Sequence, residues 1–196
     1  LLLADAPHPD IGAINQAISV NENYEVTQML MDQFIKEHQL ASEQLRAYNL
    51  IILHQVPSRR KKVEKVLQAM LASEVPLLFV LGSQSDIRAF NTLKLGLEIS
   101  GGQNKQNEVQ ALLNNKFTLF SVGEFDDRLY QDLPPLLVPF GKYNVSKSAA
   151  VLFSQKIGMV RTEHPLMLFT QKGSGKIGIV AGEGLWRWRD QGANNV

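Results

Sequence analysis

The sequence predicts an α/β fold whose sheet is mostly parallel, with antiparallel strands added by the C-terminal half. Residues 76–81 are a continuous run without polar alternation, which is typical of a strand buried on both faces. The clearest helical stripe of the chain comes just before it, formed by Val63, Val66, Leu67, Met70 and Leu71. Strand and helix alternate through the first half, and this alternation favours parallel strands with right-handed crossovers.

The other elements of the first half follow from shorter patterns. Residues 1–4, 24–30 and 49–54 predict three more strands. Pro9 suits the first turn of a helix that carries Ile11, Ile14 and Ile18 on one face. Between residues 31 and 47 the spacing of apolar residues is too irregular to predict a helix or a strand.

Two helices of the first half have candidate capping residues. Ser58 is predicted to cap the helix before the strand at residues 76–81, and Ser85 or Asp86 the helix after it. Residues 82–84 between strand and helix predict a tight turn.

The second half predicts short strands and turns. Residues 101–107 are a polar loop, and residues 124–130 predict a helical turn that Pro134 and Pro135 would stop. Strands are predicted at residues 108–113, 117–122, 151–155, 166–170 and 176–181. The last two would form a hairpin across residues 172–175, so Gly173-Ser174-Gly175-Lys176 is interpreted as a turn and not as a phosphate-binding loop.

Composition limits the function classes. The 196 residues suit a single domain over the whole chain, and a net charge of +1 gives no electrostatic reason to expect nucleic acid or an anionic membrane surface. The absence of cysteine excludes disulfides, thiolate metal sites and cysteine nucleophiles. No apolar run approaches the roughly 18 residues that span a bilayer. The chain opens without Met on a strand-like run, so we expect it to be a segment of a longer protein.

Polar residues follow the predicted buried strands at the edge where parallel strands end, which we call the carboxyl edge. His8 and His54 should meet there, because ligand sites of parallel sheets form at this edge. The predicted ligand-binding residues are His8, Asp10, His54, Ser83, Gln84 and Asp86. Two histidines and a carboxylate could hold a metal, but no known metal spacing is present, and capping and loop contacts are the commoner role of such residues.

No catalytic residue is predicted. The strand end carries Val80, Leu81 and Gly82, none of which can act as a nucleophile. Ser83 is not in a Gly-x-Ser-x-Gly sequence. Glu163 and His164 could be two members of a hydrolytic triad, but the sequence offers no nucleophile for them to activate. The sequence therefore implies neither an enzyme nor a cofactor.

Two charged segments have open interpretations. Arg59-Arg60-Lys61-Lys62 could mark an anion or partner site, although a solvated face is the commoner meaning of such a run. Near the C-terminus, Trp186 and Trp188 alternate with Arg187 and Arg189, which predicts a strand-like stretch. It could anchor the core or form an interaction surface, because Trp and Arg dominate interface hot spots.

Residues 49–54, the helix after them and residues 76–84 resemble the strand-helix-strand of class I glutamine amidotransferase-like domains. Gly184-Leu185-Trp186-Arg187-Trp188 is similar to the ending of a non-catalytic subgroup. Active members place a nucleophilic cysteine in a Gly-x-Cys-x-Gly turn after the strand, where this chain has Val80-Leu81-Gly82-Ser83-Gln84. Glu163 and His164 do not follow the family's His-Pro-Glu order, so the resemblance transfers no catalytic residue.

The resemblance implies a flavodoxin-like three-layer sandwich. It also implies a non-catalytic module of a larger bacterial protein of the cell envelope, on its periplasmic side, that acts in protein interaction or scaffolding. Such modules occur beside von Willebrand factor A-type domains and membrane-spanning helices, so the expected partners are a protein or other domains of the parent chain. Neither nucleic acid nor membrane insertion by this segment is expected. The alternative is a small-molecule or metal sensor that binds at the carboxyl edge.

Overall fold

The computed structural model describes residues 1–37, 42–60, 63–102, 105–121 and 133–192, and this part of the chain contains eleven strands and six helices. The strands are β1 (Leu2–Ala4), β2 (Gln28–Leu30), β3 (Ile51–His54), β4 (Leu77–Val80), β5 (Leu97–Ser100), β6 (Gln106–Leu113), β7 (Leu136–Pro139), β8 (Lys142–Val145), β9 (Ala150–Ile157), β10 (Val160–Lys172) and β11 (Gly175–Val180). The helices are α1 (Pro9–Ser19), α2 (Met31–Glu37), α3 (Ser42–Arg46), α4 (Glu64–Ala72), α5 (Ile87–Thr92) and α6 (Trp186–Gly192).

Nine strands form one mixed sheet in the order β2-β1-β3-β4-β11-β10-β9-β6-β7. Neighbours from β2 to β11 pair in parallel, and neighbours from β11 to β7 pair antiparallel. Strands β5 and β8 form a separate antiparallel pair. The predicted α/β fold, parallel in its first half with antiparallel strands from the second, is confirmed. One C-terminal strand, β11, joins the parallel part beside β4.

Side chains alternate across the sheet and fill an apolar cluster on each face. On β1, Leu3 belongs to one cluster, whereas Leu2 and Ala4 belong to the other. Helices α2, α4 and α5 cover the first face with Phe34, Met70 and Phe90, and α1 and α6 cover the second with Ile11 and Trp188. The sheet therefore lies between two helical layers, which is the three-layer arrangement expected.

Two helices begin as the sequence predicts. Pro9 occupies the first turn of α1, where its missing N–H costs no hydrogen bond. Asp86 caps α5, because its Oδ1 accepts the Ala89 N–H at 3.0 Å. The apolar stripe of α4 packs into the core through Val66, Leu67 and Met70.

The predicted cap at Ser58 is wrong. Helix α4 begins at Glu64 with Val63 as its N-cap, and no side chain caps it. Ser58 is buried and forms an antiparallel bridge with Ser85 instead. Ser58 therefore packs against the turn after β4 and lies five residues before the N-cap position of the helix, so it cannot cap it.

Two predicted strands differ from the structure. Only Gln28–Leu30 of the predicted strand 24–30 pairs, because β1 has three residues to pair with it and Tyr24 lies 62% exposed. Residues 117–121 form no strand, because Phe117 and Phe120 pack against Phe169 of β10. Strands β5, β7 and β8 were not predicted.

The other predicted strands of the second half are present, and β10 and β11 form the expected hairpin across residues 172–175. Val122 and the predicted helical turn at residues 124–130 lie outside the described residues, as do Lys61 and Lys62 of the cationic run. No helix in the described part of the chain combines the length and apolar character needed to cross a bilayer.

Candidate functional site

The carboxyl edge of the parallel strands brings together four ionisable residues, of which three are buried and His8 is partly exposed. The loop after β1 supplies His8, the first turn of α1 supplies Asp10, and the last residue of β3 is His54. Glu183 follows β11, which lies beside β4. Because parallel strands end at one edge, segments distant in sequence deliver these side chains to one place. We call His8, Asp10, His54 and Glu183 the edge cluster.

Asp10 is the centre of the edge cluster and has no exposed surface. Its Oδ2 accepts the Gly184 N–H at 2.8 Å, and its Oδ1 accepts the Trp186 N–H at 3.0 Å. His54 Nε2 lies 3.4 Å from Oδ2 and donates to it. Burial acts to raise the pKa of Asp10, but the bonds from His54 and the two backbone N–H groups outweigh burial and hold the pKa below its ordinary value.

His8 connects Asp10 to Glu183. Its Nδ1 accepts the Asp10 N–H at 3.1 Å and so caps α1, which assigns the proton of the neutral ring to Nε2. Nε2 lies 3.6 Å from Glu183 Oε2, and the ring centroids of His8 and His54 are 4.7 Å apart. Burial lowers the pKa of His8, while the nearby carboxylates of Asp10 and Glu183 act in the opposite direction.

Glu183, Gln55 and Gln106 are site residues that the sequence analysis missed. Gln55 Nε2 donates to Glu183 Oε2, and Gln106 Nε2 donates to Glu183 Oε1 at 3.2 Å. Gln55 Oε1 accepts the Gln84 N–H at 2.8 Å. Glu183 follows a predicted strand, a signal that could have found it if the pairing of β11 with β4 had been known. Gln55 carried the same signal, since it directly follows the predicted strand at residues 49–54, whereas Gln106 carried none.

Gly82 lies directly against this network. A Cβ on Gly82 would overlap Glu183 Oε2 and would lie 2.8 Å from Gln55 Cδ. In the resemblance described above, Gly82 stands where active amidotransferases carry their nucleophilic cysteine. A side chain at this position would therefore require Glu183 and Gln55 to move and their hydrogen bond to break.

The three residues predicted after β4 lie on the turn and not in the edge cluster. Ser83 is exposed, and Asp86 is committed to capping α5. Gln84 contacts the network through its backbone, since its N–H donates to Gln55 and its carbonyl accepts the Arg59 N–H at 3.2 Å. Of the six predicted ligand-binding residues, the structure thus brings His8, Asp10 and His54 together and separates the other three from them.

The strand-like prediction for residues 186–189 is wrong, because these residues begin α6. Trp188 points inward, where its Nε1 donates to the Pro134 carbonyl at 2.7 Å and its ring packs edge-on against Phe153. Arg189 donates to Gln16 of α1. Capture of the Trp186 N–H by Asp10 starts the helix, and this tertiary contact overrides the alternating sequence pattern.

Within the described residues, His8, Asp10 and His54 are the one group whose ligand atoms lie close enough to share a metal ion, all within 4.8 Å of one another. Two imidazoles and a carboxylate are a donor set that Zn²⁺ accepts. However, Asp10 already accepts two backbone N–H groups and a His54 N–H. The edge cluster is therefore complete as a hydrogen-bonded lock between the starts of α1 and α6.

No protein-family model matches the sequence, and no curated protein matches it either. Solved structures do match in fold. The cytoplasmic protein STM1381 from Salmonella typhimurium LT2 aligns with a TM-score of 0.67 at 12% identity, covering 93% of this chain and 86% of that one. The cytoplasmic protein STM3548 from Salmonella typhimurium aligns with a TM-score of 0.61 at 13% identity, covering 92% of this chain and 83% of that one.

A third match lies within a larger enzyme. Alpha-L-fucosidase isoenzyme 2 from Paenibacillus thiaminolyticus aligns with a TM-score of 0.55 at 12% identity, covering 98% of this chain but 30% of the enzyme. At 12–13% identity, this similarity supports a shared fold but not a shared activity. From the sheet order and these matches we conclude that the chain has the mixed α/β fold of the two Salmonella proteins, with parallel strands in the first half and antiparallel strands added by the second.

Proposed function

We propose that the chain is a non-catalytic module with an amidotransferase-like fold, which acts in protein interaction or scaffolding within a larger protein of the bacterial cell envelope. The observation that carries this proposal is the contact at Gly82. A nucleophile at the end of β4 would need the space that the Gln55–Glu183 hydrogen bond occupies. The chain also has no cysteine to supply the nucleophile of the active amidotransferases that it resembles.

The partner in this proposal is a protein or another domain of the parent chain. The proposed contact surface is the outer side of residues 186–189. Trp186 is 36% exposed, and the Arg187 guanidinium lies 5.0 Å from its ring centroid. This cation–π pair offers a partner a flat aromatic group and a charge, which are the residue types that contribute most at interfaces.

Binding between this chain and the remaining domains of its parent protein tests the interaction. Trp186→Ala should weaken that binding about 30-fold or more, because truncated hot spots cost at least about 2 kcal/mol. Met159→Ala is the matched control, since Met159 is 92% exposed at the distant turn between β9 and β10 and should leave binding unchanged. Equal affinities for the two variants would contradict the proposed surface.

Turnover tests the non-catalytic part separately. The chain should release no ammonia from glutamine above the buffer rate. Ammonia release that survives purification and is removed by Ser83→Ala would overturn the proposal, because Ser83 is the exposed hydroxyl on the turn where the family places its nucleophile, whereas Ser85 is buried.

A sensor of a metal or small molecule is the second candidate function, and the convergence of His8, Asp10 and His54 favours it. Zn²⁺ should then raise the melting temperature of the protein, because a ligand that binds only the folded state stabilises it. His8→Ala should abolish the rise. His164→Ala should preserve it, because His164 stacks on Tyr143 and not in the edge cluster. No rise with Zn²⁺ in the unaltered protein would exclude a zinc sensor.

A further inference from the structure

An apolar cavity of about 840 Å³ lies at the amino ends of β4 and β11, at the opposite end of the parallel strands from the edge cluster. Its volume is within the range of small-molecule sites. None of the edge-cluster residues lines it. The apolar cavity is therefore separate from the zinc-sensor candidate described above.

The strand register explains why the sheet is concave here. Gly178 of β11 pairs with Leu78 of β4 on one side and with Phe169 of β10 on the other, so the three residues form one row across the sheet. Leu78 and Phe169 pack against the apolar cluster of the second face. Paired residues point to the same face, so Gly178 adds no side chain to this row. The sheet is therefore lower between two large apolar side chains, and all three residues line the cavity.

Aromatic side chains form one wall of the cavity. Phe120 packs edge-on against Phe169 with ring centroids 5.2 Å apart, and Phe117 contacts the same two rings. Leu119 and Phe120 line the cavity, yet they are 60% and 48% exposed. Large apolar side chains that are exposed together mark a binding surface, because covering them removes apolar area from water.

The apolar floor ends in a polar pair near the turn between β10 and β11. Gln171 pairs with Lys176, two residues along each strand from the pair of Phe169 and Gly178, so both pairs lie on the same face. Gln171 and Lys176 also line the cavity. Lys176 is the one charged residue among the lining residues that the structure describes. The cavity thus has an apolar body and a single positive charge at one end.

We propose that this cavity binds a small amphipathic molecule with one aliphatic chain and a carboxylate end, the chemistry of a fatty acid. The chain covers Leu78, Gly178 and Phe169, which removes their apolar surface from water. The carboxylate lies at Gln171 and Lys176, which offer an amide donor and an ammonium group. One cation and one amide match a singly charged carboxylate better than a phosphate monoester with its higher charge and three acceptor oxygens. The proposal is independent of the contact surface at residues 186–189, so either can fail without the other.

Calorimetric titration of the full chain with decanoate, below its micelle concentration, tests the proposal. One decanoate should bind per chain, and the binding should saturate. Decyltrimethylammonium has the same chain length and a positive end, so it should bind about fivefold more weakly. No saturable binding of decanoate, several molecules per chain, or equal affinities for the two amphiphiles would overturn the proposal.

A matched pair of variants locates the bound chain. Leu119→Ala removes apolar surface from the cavity wall and should weaken decanoate binding about three- to tenfold. Val160→Ala is the control, because Val160 is 64% exposed but does not line the cavity, and binding should stay unchanged. Equal affinities of these two variants would place decanoate elsewhere and contradict the proposal.

Gly178→Ala tests the floor of the cavity. The added Cβ would lie 2.9 Å from Leu78 Cδ1, the mobile end of a side chain that can turn aside into the cavity. Decanoate should then bind at least about threefold more weakly, while the melting temperature shows that the fold is kept. Gly175→Ala on the same strand, outside the lining, should leave binding unchanged. Equal binding by the two folded variants would refute the floor, and if Gly178→Ala does not fold, the Leu119→Ala result decides.

Lys176→Gln tests the charged end. Decanoate should bind about two- to fivefold more weakly, the usual contribution of an exposed ion pair, and decyltrimethylammonium should not lose affinity. Lys65→Gln removes an exposed charge from α4, on the other face of the sheet, and should change neither affinity. An unchanged affinity of Lys176→Gln for decanoate would contradict the position of the carboxylate.

Discussion

The two sides of the residue 82–86 turn use charge in opposite ways. On one side, Asp10 is buried and bonded to two backbone N–H groups and His54, and Glu183 is bonded to two glutamine side chains. On the other side, basic side chains and Asp86 line an open polar cavity. Both regions lie at the carboxyl edge of one sheet, so fold position alone does not set their roles.

The difference teaches what each arrangement contributes. A buried, bonded carboxylate holds elements together, and removing it leaves its partners unsatisfied. Exposed charges contribute little to stability. We therefore expect substitutions in the edge cluster to lower the free energy of unfolding strongly, and charge substitutions around the polar cavity to change it little.

Asp10→Ala should have the largest effect on stability. It removes a carboxylate without exposed surface and leaves the N–H groups of Gly184 and Trp186 without their acceptor. The free energy of unfolding should fall by about 3–5 kcal/mol, measured by urea denaturation. Asp86→Asn on the cavity side is the matched control, and its change should stay within about 0.5 kcal/mol. A loss below about 1 kcal/mol for Asp10→Ala would refute the lock.

Gly82→Ala tests the wall between the two regions. The added Cβ would overlap Glu183 and Gln55, so the free energy of unfolding should fall by about 1–3 kcal/mol. Gly12→Ala in α1 is the control, because a Cβ there meets nothing within 4 Å. That control should stabilise the protein by about 0.5–1 kcal/mol through helix propensity. Thermal unfolding of both variants should show shifts of opposite sign, and shifts of the same sign would contradict the close packing at Gly82.

Asp86→Ala, on the cavity side of the turn, has a smaller expected effect on the free energy of unfolding. It removes the acceptor for the Ala89 N–H at the start of α5 and should cost about 1 kcal/mol. Comparison with Asp86→Asn by chemical denaturation separates the cap from the charge, because only the alanine variant loses the cap. Equal stabilities of the two variants would mean that the cap contributes nothing.

A change of pH near neutrality has the smallest expected effect on the free energy of unfolding. The pKa of His8 is lowered in the folded state, chiefly by burial. His8 therefore contributes fully to the free energy of unfolding above its ordinary pKa of 6.5. This contribution is lost as the pH falls through the lower pKa of the folded state. The pKa of Asp10 is also lowered in the folded state, so its contribution to the free energy of unfolding is lost as the pH falls below its ordinary pKa of 3.8.

Unfolding free energy measured with a chelator present should therefore decline slightly below pH 6.5 and more steeply below pH 3.8. His8→Asn keeps a capping side chain and should remove the first decline. Stability that rises on acidification from pH 6.5 would contradict the lowered pKa of His8, and stability that rises below pH 3.8 would contradict that of Asp10.

Local patterns predicted much of the parallel part of the fold. The runs at residues 49–54 and 76–81 became β3 and β4 because a strand buried on both faces needs apolar side chains throughout. They also predicted that His8 and His54 would meet, since both follow parallel strands. The alternation of Trp186 and Trp188 with arginines predicted a strand, but these residues begin a seven-residue helix. A pattern this short does not outweigh the tertiary contact that starts the helix.

The sequence by itself determined that Gly82, which cannot act as a nucleophile, follows β4, and which strands are buried on both faces. Only the tertiary structure decided that β11 pairs with β4, which joins Gln55 to Glu183 across 128 residues of sequence. The same pairing closed the space at Gly82. Strand order depends on how distant segments pack against each other, and no local pattern encodes it. The lock and the cavity beside it are consequences of that packing.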